Sequence, residues 1–352
     1  MSGAVVASQF LDIGIAHFKR NQFREALAHF DASIKLAPSD PYARWNRATA
    51  LLSLGEYERG FIEHDEAWEN FKVIGGFSPV ADEDIDRLKA MPIWRGESGA
   101  RVLFYHDMGL GDAIMAFRYL RELVRRTSKL TLVIDWPLAR LARQFGVEVV
   151  SGVPADLSQY DSRLPFFSVM SALQQTAETI PNEPYIFRHH WCRSGDKIGV
   201  AWSGRTQTAF SAERFLPMIN HDGFKLYALQ TGQTIDGVEP LKPGCDFADL
   251  ADRIAEMDHI ISVDTAAIHL AGAMGHPSAH LVLPFLSDWR WWHTARWYPS
   301  LHTYRQPTPD DWSTPFARLN EAAFNPRGVA DGRCRHSQEG RYDSDADAGP
   351  VG

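Results

Sequence analysis

Cysteine is scarce in this chain: Cys192, Cys245 and Cys334 are the only three among 352 residues, widely separated and odd in number. That spacing excludes a disulfide framework and a cysteine metal site, and it suits a reducing compartment. Long apolar runs are missing as well. No stretch of about 18 apolar residues occurs, so no membrane-spanning helix is expected. The first residues lack the basic start and apolar core of a secretory signal, and the expectation is a soluble, cytoplasmic protein. Positive charge is in deficit, with 36 Lys and Arg against 44 Asp and Glu and a formal net charge of -8. Surfaces that bind nucleic acid are normally basic, so nucleic acid is not an expected partner. A local positive pocket for one anion is compatible with this balance. No zinc-ligand spacing, P-loop or nucleophile elbow is present, and neither a metal nor another cofactor is expected.

What is present begins with a repeat. Residues 7–74 recur with a period of 34: Gly14 matches Ala48, Asn21 matches Gly55, Phe23 matches Tyr57, Ala26 matches Gly60 and Ser33 matches Ala67. Small residues at these offsets let antiparallel helices approach closely, and the aromatic fills the space beside them. With Ala26, Phe30 and Pro38, the pattern resembles tetratricopeptide repeats, the second copy carrying His64 where an aromatic is expected. Two such units bury little alone, so they are expected to dock on the C-terminal body of the chain. Two readings stay open for them: a packing or dimerisation cap, or a groove that recruits a protein acceptor.

The predicted organisation is residues 1–74 as repeats, 75–98 as a linker, 99–190 and 191–326 as two domains, and 327–352 as a disordered polar tail. Strands and helices alternate through both domains, which implies two parallel, doubly wound sheets of Rossmann type. In the first, the strand 101–106 leads through Asp107-Met108-Gly109-Leu110-Gly111-Asp112 into an amphipathic helix of about 15 residues, with Ala113, Ile114, Phe117, Leu120, Leu123 and Val124 on one face. In the second, the strand 197–202 leads into Ser203-Gly204-Arg205. Further on, the apolar run Ile260-Ile261-Ser262-Val263 leads into Asp264-Thr265-Ala266 and an Ala-rich helix closed by Gly275 and Pro277. Ligands in such folds sit at the carboxyl ends of the strands, and the donors of a helix start attract phosphate.

Each motif has a plain alternative. Asp112 suits a base, or only caps its helix. Asp264 and Thr265 supply N-cap side chains, either alone or as part of an anion site with Ala266. His269 shares a helical face with Thr265 and is a ligand contact or a structural histidine. The Ser203 hydroxyl, Gly204 N–H and Arg205 fork suit phosphate oxygens, with Arg214 a competing cation. The segments Asp288-Trp289-Arg290-Trp291-Trp292 and Arg296-Trp297-Tyr298-Pro299 read as packing between domains, with Arg290 and Arg296 in reach of donor or acceptor.

Together these stretches resemble the bacterial glycosyltransferases of the heptosyltransferase family, family 9 with the GT-B fold, in the variant that carries N-terminal tetratricopeptide repeats. The resemblance is carried by Gly109-Leu110-Gly111-Asp112, Ala201-Trp202-Ser203-Gly204, Asp264-Thr265-Ala266 with His269-Leu270-Ala271-Gly272-Ala273, Leu283-Pro284-Phe285 to Trp291, and Trp297-Tyr298-Pro299 with Tyr304-Arg305-Gln306. It implies that Asp112 is a general base and that Asp264, Thr265 and Ala266 bind the diphosphate of a nucleotide sugar, the co-substrate. The sequence departs from the family after Gly204, where Arg205-Thr206-Gln207-Thr208-Ala209-Phe210 replaces the usual basic cluster, and in a shorter body. Relatives with repeats are implicated in glycosylating flagellin, so a protein acceptor stands beside a cell-surface glycan. Two rivals remain: a non-catalytic scaffold with a degenerate body, and a nucleotide-sugar epimerase.

Overall fold

The computed structural model describes residues 3–70, 80–187, 191, 194–204, 210–232 and 235–324. Arg205, the tail from 327, Cys192 and Cys334 lie outside the described residues, as does the linker up to 79.

The repeat is four antiparallel helices: α1 (Gly3–Phe18), α2 (Phe23–Leu36), α3 (Pro41–Leu54) and α4 (Tyr57–Asn70). Asp40 caps α3, its carboxylate accepting from the N–H groups of Tyr42 and Ala43, with Pro41 at the first helical position. The small residues do what the spacing predicts. A β-carbon on Gly14 would stand 2.5 Å from the Phe30 ring, and one on Gly60 would stand 2.7 Å from Leu52.

The first domain runs α5 (Asp82–Lys89), β1 (Arg101–Tyr105), α6 (Leu110–Ala116), α7 (Leu120–Arg126), β2 (Lys129–Val133), α8 (Trp136–Arg143), β3 (Glu148–Val150), β4 (Ser162–Pro165) and α9 (Val169–Ala172). Its strands form one parallel sheet in the order β3-β2-β1-β4. Alternation along β1 fixes the two faces. Val102 and Phe104 join the large core beneath α6 and α7, while Leu103 and Tyr105 pack with Val80 and Leu88 on the other side. The expected linker is therefore, from Val80 onward, part of this domain. Its helix α5 covers a sheet face, and Trp94, fully buried, donates its backbone N–H to the Arg163 carbonyl at 2.9 Å. The expected 15-residue helix is also divided. A 3-10 turn at Phe117–Tyr119 separates α6 from α7 and swings Val124 out of the core to 39 % exposure.

The second domain runs β5 (Lys197–Ala201), α10 (Ala212–Phe215), β6 (Lys225–Ala228), β7 (Val238–Glu239), α11 (Phe247–Glu256), β8 (His259–Ser262), α12 (Ala266–Ala273), β9 (Ala279–Leu283), α13 (Thr294–Trp297), β10 (Leu301–Arg305) and α14 (Ser313–Phe324). All its strand pairs are parallel, in the order β10-β9-β8-β5-β6-β7. Counted from β5, that is the 3-2-1-4-5-6 order of a dinucleotide fold, with its switch point between β5 and β8. In the first sheet the order reverses between β1 and β4. The turns after β1, β5 and β8 therefore lie where such sheets bind ligands.

The aromatic segment after β9 joins the three parts. Tyr57 and Phe61 of α4 pack edge-on against Trp289 and Trp297, and the Trp297 indole N–H donates to the Tyr57 hydroxyl at 3.3 Å. The His293 ring bonds the Ser53 carbonyl, and the Asn21 amide donates to the Phe285 carbonyl. On the first domain, the buried Asp65 accepts from the hydroxyls of Ser168 and Ser171 and pairs with Arg95 at 2.7 Å. His64, the weak position of the second repeat, stacks on Phe167 with ring centroids 3.9 Å apart. Burial pushes its imidazole down to about 3, so at neutral pH it packs as an uncharged ring in the aromatic's place.

Candidate active site

The turn after β1 ends at Gly109, whose backbone N–H donates to Asp112 Oδ2 at 3.1 Å. Asp112 thus caps the start of α6, as the plain reading has it. Its other oxygen faces the second domain. Asp112 Oδ1 lies 2.6 Å from Arg290 Nη2, both side chains largely buried. Beside it, Met108, Met115, Phe166, Phe167 and Met170 line a mainly apolar cavity of about 10 Å³, room for one water.

In the second domain the turns after β5 and β8 touch. A β-carbon on Gly204 would stand 2.4 Å from the Asp264 carbonyl oxygen, so only glycine lets the two turns meet. Ser203 is exposed next to them, and its backbone N–H and that of Trp202 are both held by the Gln230 side chain. Thr265 is the N-cap residue of α12, but the expected side-chain cap is not formed. Its hydroxyl pairs with Ser262 Oγ at 2.9 Å instead, because β8 ends with a serine aimed at it. Asp264 does not cap either. Its carboxylate turns inward, 3.8 Å from His269 Nε2. The N–H groups of Ala266 and Ala267 at the start of α12 meet no acceptor among the described residues.

His269 is 2 % exposed. Its Nδ1 bonds the Tyr298 hydroxyl at 2.9 Å, and its ring packs on Trp291. Burial, helped by Arg290 and Arg118, keeps it far below the usual histidine range and therefore neutral. In this packing it is a spacer between α12 and Gly111, the two helices of opposite domains meeting at its ring.

Arg290 is the centre of the charge arrangement. It sits in the 3-10 turn Trp289–His293, 6 % exposed, with Asp112 at 2.6 Å and Asp288 Oδ1 3.3 Å from its Nε. Burial alone would favour loss of its proton, but the carboxylates of Asp112, Asp288 and Asp264 outweigh that and hold it charged. Burial pushes the Asp264 carboxyl up to about 6 against the pull of Arg290, with repulsion from Asp288 and Asp112 adding to the rise. Burial raises Asp288 as well. Three carboxyls thus surround one guanidinium, and burial raises those of Asp264 and Asp288 above the usual carboxylate range.

The other cations named from the sequence lie elsewhere. Arg214 is exposed on α10 over the Phe210 ring, and Arg296 donates to the Ala177 carbonyl at 3.1 Å. Arg118 carries no signal in the sequence because it sits inside a helical pattern. It is buried between the domains, donating to the carbonyls of Met115, Pro181 and Trp297 and lying over the rings of Tyr185, Trp297 and Tyr298. No group of three or more His, Cys, Asp or Glu among the described residues is placed to hold a metal ion. None of the helices described is long and apolar enough to cross a membrane.

Known proteins resemble this chain in parts. Residues 11–71 match the tetratricopeptide repeat family. The protein FlbA of Caulobacter vibrioides is 25% identical over 383 aligned positions, covering 84% of this chain and 63% of its own length. The chain thus spans just under two thirds of that relative. Among solved structures, the iron-containing dodecameric glycosyltransferase TibC from enterotoxigenic E. coli superposes with a TM-score of 0.45 at 12% identity, over 62% of this chain and 68% of its own. An O-GlcNAc transferase mutant of Thermobaculum terrenum gives a TM-score of 0.29 at 12% identity, over 92% of this chain and 88% of its own.

Proposed function

We propose that this protein is a glycosyltransferase that moves a sugar from a nucleotide sugar to an acceptor hydroxyl with inversion. The observation that carries the reading is the meeting of two switch-point turns across one interface. A carboxylate, Asp112, comes from the first sheet. The amides of Ala266 and Ala267, which meet no acceptor among the described residues, come from the second. The donor phosphates would lie on those amides, with Ser203 and Gly204 beside them, on the helix start that suits an anion. Either a diphosphate or a monophosphate leaving group fits that description.

In the reaction, Asp112 takes the proton of the acceptor hydroxyl. The acceptor oxygen forms its bond to the anomeric carbon as that carbon's bond to the phosphate oxygen breaks. The electron pair leaves on the phosphate, where amide N–H groups and arginine receive the charge without a metal. The small cavity that Asp112 lines with Met108 and Met170 has room for about one water. In this reading the acceptor reaches Asp112 as the domains part and the Arg290 contact opens.

The acceptor in this reading is a protein brought by the repeats, or a cell-surface glycan. Val5, Ile13, Tyr42 and Ile62 are exposed apolar side chains on repeat helices, away from the docked face. The closed site is also what a non-catalytic scaffold would show, and that reading expects no nucleotide to bind. The deciding experiment offers a panel of nucleotide sugars to wild type and Asp112→Asn and measures transfer or donor hydrolysis. Loss of a well-placed base lowers turnover about 10²–10⁴-fold. Near-normal turnover of the variant removes Asp112 from the role, and no turnover with any donor in either protein favours the scaffold.

A further inference from the structure

We infer that the Asp112–Arg290 ion pair is a latch that donor phosphate opens: Arg290 leaves Asp112 for the phosphate, and the carboxylate becomes free to accept the acceptor's proton. This rests on the reading of Asp112 as base and of the α12 start as the donor site. It adds which cation meets the phosphate and why the base is silent without donor.

Asp112 Oδ2 accepts from the Gly109 N–H at 3.1 Å, whereas Oδ1 is buried against the Arg290 guanidinium at 2.6 Å, charge-paired but without a directed hydrogen bond. Oδ1 keeps acceptor capacity but is covered, so a hydroxyl reaches it only after the guanidinium beside it withdraws. The Gly109 bond is local to the turn and moves with Asp112. The Arg290 contact crosses from the other domain, so it is the one that parting of the domains breaks.

Arg290 is also incompletely satisfied where it stands. Its Nε is buried without a hydrogen bond, with Asp288 Oδ1 3.3 Å away. Its neighbour Trp291 packs on His269 of α12 with ring centroids 4.8 Å apart, so the segment that carries Arg290 lies against that helix. A planar fork suits phosphate as well as it suits a carboxylate. Its backbone is fixed by neighbours, since Trp289 packs on α4 and Trp291 on His269, which leaves the side chain as the part that exchanges partners.

The latch has an unusual consequence. Asp112 and the donor phosphate compete for one cation, so removing Asp112 should strengthen phosphate binding while it lowers transfer about 10²–10⁴-fold. The test is calorimetry of the full chain with inorganic pyrophosphate and with UDP, GDP, CDP, ADP and CMP. The proteins are wild type, Asp112→Asn, Arg290→Gln and the double variant. Where Arg290→Gln fails to fold by circular dichroism, Arg290→Lys, which keeps the charge without the fork, takes its place in the cycle. The expected result is affinity about tenfold weaker in the Arg290 variant and about tenfold tighter in Asp112→Asn, with the tightening absent from the double variant. Unchanged or weaker binding by Asp112→Asn overturns the latch. So does a tightening that persists without Arg290, because Asp112 would then act by simple repulsion. If none of the phosphates binds wild type, the donor site itself is wrong, and the latch goes with it.

Discussion

Gly111 lies against the His269 ring, so closely that a β-carbon on it would stand 2.7 Å from Cδ2. The two residues belong to different domains, Gly111 on α6 and His269 on α12. Their contact is where the carboxyl ends of the two sheets are brought face to face. A side chain at position 111 would push apart Asp112 and Arg290 one residue away.

Gly111→Ala should therefore destabilise the chain by about 1–3 kcal/mol through overpacking. A double-mutant cycle with His269→Ala, read by urea unfolding, isolates the contact. The cost of Gly111→Ala should shrink markedly once the ring is gone. An equal cost in both backgrounds would mean that the helices do not meet at this point.

Asp264 sets the pH behaviour of the interface. Its carboxyl is pushed up from 3.8 to about 6 in the fold, chiefly by burial. Between those values the folded chain binds a proton at this site that the unfolded chain has released. Stability from this group is thus fully present below about pH 4, falls as pH rises to about 6, and is absent above, a difference of about 3 kcal/mol. Asp264→Asn, which keeps the shape and cannot ionise, should be more stable than wild type at pH 7–8 and show no such gain near pH 4. Unfolding midpoints of the two proteins across this range check it, and a difference that does not change with pH counts against it.

Tyr57 tests whether the repeat supports the site. Tyr57→Phe removes only the 3.3 Å bond from Trp297 and should cost about 1 kcal/mol. Tyr57→Ala empties the space between Phe61, Trp289 and Trp297 and should cost about 3–5 kcal/mol. Because Trp289 adjoins Arg290, the alanine variant should also weaken nucleotide binding. Denaturant midpoints and calorimetry on the same samples separate the two effects. Full affinity in a destabilised Tyr57→Ala protein would show that the site does not depend on the docked repeat.

Much of the architecture is legible in the residues. The 34-residue period locates the paired helices, since small residues recur where backbones must approach. Short apolar runs mark β1, β5 and β8, and glycines mark the turns after the first two. Elements without those signals escape. β4 reads Ser-Arg-Leu-Pro and is a strand only because β1 offers it a parallel partner and Tyr105 accepts the Arg163 guanidinium at 2.9 Å. β10 shows no alternation recognisable in advance, with three of its five residues partly or fully exposed. The predicted caps at Asp264 and Thr265 fail for a similar reason. Propensity assigns a side chain to the nearest backbone donors, whereas here Thr265 pairs with Ser262 and the Asp264 carboxylate turns inward beside His269.

The order of strands and helices, the repeat and the candidate residues at three turns are set by the sequence alone, because periodicity, glycine placement and capping chemistry are local properties. The pairing of Asp112 with Arg290, the burial of Asp264 and His269, and the wedge of tryptophans between repeat and site were decided by tertiary structure. They join residues from separate elements whose distance in space no local pattern encodes, and the charge each one carries depends on the neighbours that folding supplies.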